Sequence, residues 1–359
     1  MKKLTVAFLF ILILSCGEEV DKKIFVINEG EFEINEKIKG ETIHFDNVPK
    51  CPSQIIIIDS LLIQISGVMC DDKFFHVYKK DDLKHLGSFG NRGRGPNEFI
   101  HPRYTHQVLK TEDMIGIWVF DSQKFNLINV TNSIINEYTI IDSSIVITNA
   151  IEFRPMEAFL LSNGNITGKA MAQKGRLFFY NQKNDSTIWV DYFPKVDKLP
   201  FEKDMIDNLY IGPTIVSDNN SIIVSALELF KRVDVFSTTS EHLFSLIWED
   251  SPQNPDFYTN PDNPIPRELK HYYYDLFLSD QYIYALNIDV TVNETHKEED
   301  TGYSELHVFS LNGEPIAFYS LDHLVYSFSI DEENGYMYGL LLPSEEEIVS
   351  QVIRFSLSH

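Results

Sequence analysis

Six segments of this chain follow one plan: an apolar strand, a polar turn and a second apolar strand. They are "FHVYKKDDLKHLGSF", "NLINVTNSIINEYTI", "LFFYNQKNDSTIWVDYF", "VDVFSTTSEHLFSLIW", "LHVFSLNGEPIAFYSL" and the shorter "VIRFSLSH". Aligned, they place Tyr78, Asn129, Tyr180, Phe236, Phe309 and Phe355 at equivalent positions, in steps of 51, 51, 56, 73 and 46 residues. Two further runs precede most copies, such as "IIIID" and "LLIQI" ahead of the first. Their β-branched and aromatic content suits a pleated, half-buried surface. Four strands per unit of roughly 50 residues is the signature of a propeller blade. A blade is one sheet that cannot bury both faces alone, so neighbours stack and the ring must close. The chain therefore reads as all-β, a six-bladed β-propeller of four-stranded blades.

The last copy lacks an outer strand, so an N-terminal segment is expected to supply it and close the ring. "EKIKGETIHF", residues 36–45, is the better candidate and "KIFVI" the other. The long step of 73 has visible causes. "SPQNPDFYTNPDNPIP" carries five prolines and reads as an insertion, and "TVNETHKEEDTGY" as a stretched hairpin loop. Two short helices are predicted. "PFEKDMIDNL" spaces Phe201, Met205, Ile206 and Leu209 on one face, and "PRELKHYYYDL" does the same with Leu269, Tyr272, Tyr273 and Leu276. Pro266 fits the first turn of the second. No Gly/Ser-rich break divides the chain, so residues 36–359 form one domain, with residues 16–35 as a tether and N-terminal segment.

The first fifteen residues stand outside the fold. "MKK" supplies positive charge, and the eleven apolar residues "LTVAFLFILIL" are too short to span a bilayer. "ILSC" then resembles a lipobox, so cleavage before Cys16 leaves a lipidated N-terminus. The acidic "GEE" that follows resembles the tether of outer-membrane lipoproteins. Without Lys2 and Lys3 the chain holds 28 basic residues against 53 acidic ones, a net charge of −25. Such a chain repels nucleic acid, whose binding is driven by Lys and Arg on phosphate. Contact with a membrane is expected through the lipid anchor only, with the protein facing the periplasm or the cell surface.

Cys51 and Cys70 bracket a hairpin, "QIIII" and "LLIQIS" around "DS". Pairing Ile58 with Leu61 brings the two cysteines near each other across the ladder. The envelope outside the inner membrane permits disulfides. A bond and two buried thiols both fit this spacing.

"DDKFFHVYKKDDLKHLGSFGNRGRGPNEFIHPRY" resembles the first-blade signature of the TolB-like six-bladed propeller lipoproteins. Its "FG..G.G...F..P" cadence is also similar to the NHL repeat, but it occurs once, where an NHL propeller would repeat it in most blades. The resemblance implies a fold and a lipoprotein address. It brings no catalytic residues with it.

Within that signature, "GNRGRGPNEF" has the look of a phosphate loop but lacks the P-loop lysine and hydroxyl residue, and a strand follows it instead of a helix. In a propeller it is the crossing from the outer strand of one blade to the inner strand of the next. Its glycines then serve tight turns, and Phe99 tucks between blades. Arg92, Arg94 and Arg103, with His101 and Tyr104 interleaved, form a local positive site in an acidic protein. Guanidinium forks suit carboxylates; arginines also pin propeller loops by bonding carbonyls. "HPRYTH" sets His101 and His106 five apart, on opposite faces of a strand, which disfavours a shared metal. There is no G-x-S-x-G elbow and no H-E-x-x-H helix. No catalytic residue, metal or cofactor is assigned. The expectation is a monomeric, non-enzymatic binding or scaffolding protein for a glycan, a peptide or an envelope protein. The alternative is a polysaccharide lyase or hydrolase using an Arg/His/Tyr site on the propeller face.

Overall fold

A computed structural model describes residues 23–45, 49–68, 70–147, 153–171, 174–194, 209–217, 219, 221–252, 269–291, 294, 303–341 and 351–359. Three short strands come first: β1 (Lys23–Ile27), β2 (Ile34–Ile38) and β3 (Glu41–Ile43). The first blade follows as β4 (Pro52–Ile58), β5 (Leu61–Ser66), β6 (Lys73–Lys79) and β7 (His85–Asn91). The second is β8 (Arg103–Lys110), β9 (Ile115–Asp121), β10 (Lys124–Asn129) and β11 (Ile141–Val146). The third is β12 (Pro155–Leu160), β13 (Ile166–Ala170), β14 (Leu177–Asn181) and β15 (Ser186–Val190). The fourth is β16 (Thr214–Val216), β17 (Ile222–Ala226), β18 (Arg232–Ser237) and β19 (His242–Trp248). The fifth is β20 (Lys270–Leu278), β21 (Tyr282–Thr291), β22 (Glu305–Ser310) and β23 (Pro315–Leu321). The sixth is β24 (Val325–Asp331), β25 (Tyr336–Leu341) and β26 (Val352–Ser356). Within each blade the strands pair antiparallel in chain order. The fold is a six-bladed propeller, as the repeat implies.

All six aligned repeat positions lie on the third strand of a blade, and all six are buried. Their neighbours pack from one sheet onto the next. Between the first two blades, Phe75, Val77 and Phe89 meet Ile117, Val119 and Ile128, with Phe99 inserted among them and fully buried. Phe99 stands edge-on to Phe75, ring centroids 5.6 Å apart. The predicted hairpin register also holds, with Ile58 opposite Leu61. Cys51 and Cys70 form a disulfide with Cα atoms 5.9 Å apart.

The N-terminal strands run along the outer edges of three successive blades. β3 lies antiparallel on β26, Ile43 opposite Val352, as the fourth strand of the sixth blade. β1 and β2 are added as parallel fifth strands, β1 on β19 and β2 on β23. "KIFVI" therefore belongs to the fourth blade. Ile27 and Phe32 anchor this belt, each less than a tenth exposed. The Phe32 ring lies 5.5–5.8 Å from those of Trp248, Phe309 and Phe318. At Gly40 the belt passes so close to β26 that an added Cβ would stand 2.1 Å from Ile353 Cγ2.

Two expectations change. Residues 270–278 are the inner strand β20, where the spacing predicts a helix. Two register irregularities, at His271/Tyr273 and Tyr273/Asp275, break the alternation of that strand. The first puts the extra residue on β21 and the second puts it on β20, and the buried positions of β20 then fall at helix-like intervals. A short helix does occur elsewhere: α1 (Val130–Asn136) stands where the second repeat reads as a plain turn. It is capped by Asn129, whose side chain accepts from the Asn132 N–H at 2.9 Å. The other predicted helix, the proline-rich insertion and the stretched hairpin loop fall almost wholly outside the described residues, as does Cys16. No helix among the described residues is long and apolar enough to cross a membrane.

Candidate functional site

The first strand of each blade faces the axis, and together these six strands line a channel. A cavity of about 540 Å³ opens at one mouth, with walls from β4, β8, β12, β16, β20 and β24. Its volume falls in the range usual for small-molecule sites. A second cavity of about 300 Å³ lies further along β4, β8, β16, β20 and β24, around Asp59, Lys80, Asp331 and Glu332. Tyr104 and His106 border both and form the waist between them.

A wide irregularity in β8 creates that waist. Tyr104 pairs with Val119 and Val108 with Ile117, so three residues on β8 oppose one on β9. His106 takes up the excess in the left-handed region at φ 59, where a non-glycine residue is strained. Its neighbours fasten the kink. Thr105 Oγ1 donates to the Trp118 carbonyl at 3.0 Å. Gln107 ties to the third blade twice: its Nε2 donates to the Leu160 carbonyl at 2.6 Å, and its Oε1 accepts from the Leu160 N–H at 3.0 Å. The His106 ring lies 4.9 Å from the ring of Tyr104 and makes no hydrogen bond among the described residues. Burial pushes its imidazole down to about 4, so it stands neutral at neutral pH. His101, in the loop ahead of β8, and His106 line one cavity, although five residues apart.

Charged groups of both signs surround the waist. Arg103 donates to the Met156 carbonyl at 3.0 Å and is otherwise exposed. Burial lowers Lys169 to about 8, against the attraction of Glu157, and its Nζ donates to the Gly212 carbonyl at 2.7 Å. Burial raises the Glu157 carboxyl, with Lys169 and Arg103 pulling the other way. Glu157 Oε2 is buried without a hydrogen-bond partner among the described residues. Burial likewise lifts Asp275 to about 6, although Ser327 Oγ, the Phe328 N–H and the Leu276 N–H all donate to it at 2.8–3.0 Å. Arg176 also lines the cavity; its Nη1 pairs with buried Asp234 and its Nη2 donates to Ser225, while its Nε has no hydrogen-bond partner among the described residues.

The five residues singled out as a possible site divide. His101, Arg103 and Tyr104 line the larger cavity; Arg92 and Arg94 do not. Arg92 turns back on its own blade, donating to the Asp71 carbonyl at 3.0 Å and lying over the Phe74 ring. Arg94 is exposed and makes no ion pair among the described residues. The loop's anion is internal. Glu98 accepts from the Gly95 N–H at 2.7 Å, and a Cβ on Gly93 would lie 1.9 Å from its carboxylate. The glycines thus make room for the loop's own acid.

A family profile described as TolB-like 6-blade propeller-like matches residues 32–333. The chain belongs to this TolB-like propeller family. No curated protein sequence matches it. Among solved structures, one from Bacteroides fragilis, described as an exported protein, is similar at a TM-score of 0.55 and 11% identity, covering 91% of this chain and 99% of its own. A member of the DUF4221 family from Bacteroides vulgatus is similar at 0.55 and 9% identity, covering 92% and 98%. At such identities the likeness is one of fold. It shows that this TolB-like chain shares its ring with proteins of nearly the same extent.

Proposed function

We propose that this TolB-like propeller is a lipid-anchored envelope protein that binds the end of a glycan or peptide in the larger channel cavity. The observation that carries the reading is the strained β8 kink, which presents a neutral imidazole, free of hydrogen bonds among the described residues, at the waist of a cavity lined by all six blades. Strain of this kind persists where surrounding structure holds it, and it clusters at ligand sites. Around it, Lys169 and Arg103 offer donors, Glu157 offers an acceptor, and the tyrosine rings offer apolar faces. Ligand hydroxyls or termini that both donate and accept match that set. The envelope address rests on the "ILSC" lipobox at Cys16 and on the likeness to an exported protein.

Calorimetric titration with panels of neutral oligosaccharides, uronate oligosaccharides and short peptides tests the site. A ligand is expected whose binding is lost in His106→Ala and weakened in Arg103→Ala, but kept in Arg94→Ala. Equal binding by all three variants would move the site off the channel. A carbohydrate-active enzyme is the second reading, favoured by one observation: Glu157 and Asp275 are both held toward the protonated form within one cavity, as a general acid requires. Release of new reducing ends or unsaturated products from the bound glycan would select it.

A further inference from the structure

The strand directions fix where the chain leaves the ring. The inner strands β4, β8 and β24 start at the mouth of the larger cavity and end beside the deeper one, and the other inner strands run alongside them: Gln54, Arg103 and Ser327 line the first, Asp59, Lys110 and Asp331 the second. Antiparallel pairing through four strands makes β19 run from the far face back to the mouth. β1 is parallel to β19, so Lys23 sits at the far face, on the outer rim of the fourth blade. Only six residues separate Lys23 from Cys16, about 25 Å from Cα to Cα at full stretch.

That rim is apolar. Phe25 and Ile27 turn toward the fifth blade: Phe25 stands edge-on to Phe244 of its own blade, and Ile27 joins a core with Phe309 and Phe318 of the fifth. Alternation sends Ile24 and Val26 to the other face, which looks toward the third blade. Among the described residues the third blade has no fifth strand to cover them. They are 54% and 59% exposed, and Ile188 on its outermost strand is 59% exposed as well. A mature charge near −25 gives the protein no electrostatic hold on anionic lipid, so any contact with a bilayer falls to apolar side chains.

We infer that the rim formed by Ile24, Val26 and Ile188 rests on the bilayer surface beside the acyl chains of Cys16, with the mouth of the ligand cavity directed away from the membrane. This rests on the lipid-anchor reading. It makes the far face of the propeller the membrane side and the blade-crossing loops, including residues 92–102, the outward side.

Full-length lipidated protein, purified from membranes and placed in phosphatidylcholine vesicles, tests it. Val26→Cys and Arg94→Cys are each labelled with an environment-sensitive fluorophore, and nitroxide-bearing phosphatidylcholine serves as quencher. The label at position 26 is expected to shift to the blue and be quenched, while that at position 94 stays quenchable only by aqueous iodide. Mass spectrometry of the N-terminal peptide tests the anchor separately: an unmodified Cys16 sinks the lipid reading itself. A lipidated Cys16 with both labels equally open to iodide overturns the orientation alone. So does a stable dimer of the Cys16→Ser protein that Val26→Asp dissolves, since a second copy would then cover the strip.

Discussion

Replacing Phe32 with alanine probes the belt at its best-packed point. The side chain is 7% exposed and touches aromatic rings from both the fourth and fifth blades. A buried aromatic hides about 150–250 Å². At about 25 cal/mol per Å² this gives an upper bound of about 4–6 kcal/mol, and Phe→Ala truncations in cores cost about 3–5 kcal/mol. With about 2.1 cal/mol/K of unfolding entropy per residue, each kcal/mol lowers the Tm of a chain this long by about 1.5 °C. A fall of roughly 5–7 °C is therefore expected in a thermal melt if the belt unfolds with the ring. If the belt opens on its own, the loss in Tm is smaller and amide exchange accelerates selectively across residues 23–38. A Tm within about 1 °C of the parent with unchanged exchange would refute the assignment of Phe32 as the anchor.

Three further outcomes follow from local features. Gly90 sits at φ 82 with Phe75 Cδ2 2.4 Å from where a Cβ would stand, so Gly90→Ala carries about 1–2 kcal/mol of backbone strain before any clash and should lower the denaturation midpoint. Reducing the Cys51–Cys70 bond opens a 19-residue loop, and the expected loss is about 3 kcal/mol on chain-entropy grounds, seen as a lower Tm in dithiothreitol that Cys51→Ser/Cys70→Ser matches. Burial acts to raise the Glu305 carboxyl, but the His307 hydrogen bond and charge, Lys231 and Asn287 outweigh it and hold it at about 2. A depressed carboxyl stabilises the fold above its unfolded value, and that contribution disappears as pH falls through the folded value. Stability should therefore decline between about pH 5 and 2, with Glu305→Gln flattening that limb; an unchanged limb would show that other acids set it.

Much of the architecture is legible because blades repeat. The third strand of every blade ends in the same way, so Tyr78, Tyr180, Phe236, Phe309 and Phe355 align without any structure. The hairpin before Cys70 reads equally well, since turn and pairing are local. What escapes the sequence is irregular backbone. The two register irregularities between β20 and β21 give a strand the apolar spacing of a helix. The kink in β8 is set by side chains that reach another blade, Gln107 to Leu160 above all, and no local pattern announces it. His106 therefore looks like half of a separated histidine pair, although it stands at the waist between the two cavities. The spacing of Arg92 and Arg94 suggests a cluster with Arg103, but the crossing loop folds over its own Glu98 and Arg103 alone of the three lines the cavity. β1 and β2 pair in parallel with strands more than 200 residues away, and a parallel addition leaves no hairpin signal.

The parallel pairing of β1 also decides how the ring responds to a mechanical load. Lys23 ends β1 at the far face, and Cys16 precedes it in the chain by seven residues. Tension on that chain pulls β1 lengthwise past β19, so all five register pairs from Lys23–Phe244 to Ile27–Trp248 bear it together. An antiparallel hairpin pulled at its open end would instead unzip, its pairs breaking in succession. The belt is thus attached in shear, the arrangement in which a short strand holds longest against a steady pull.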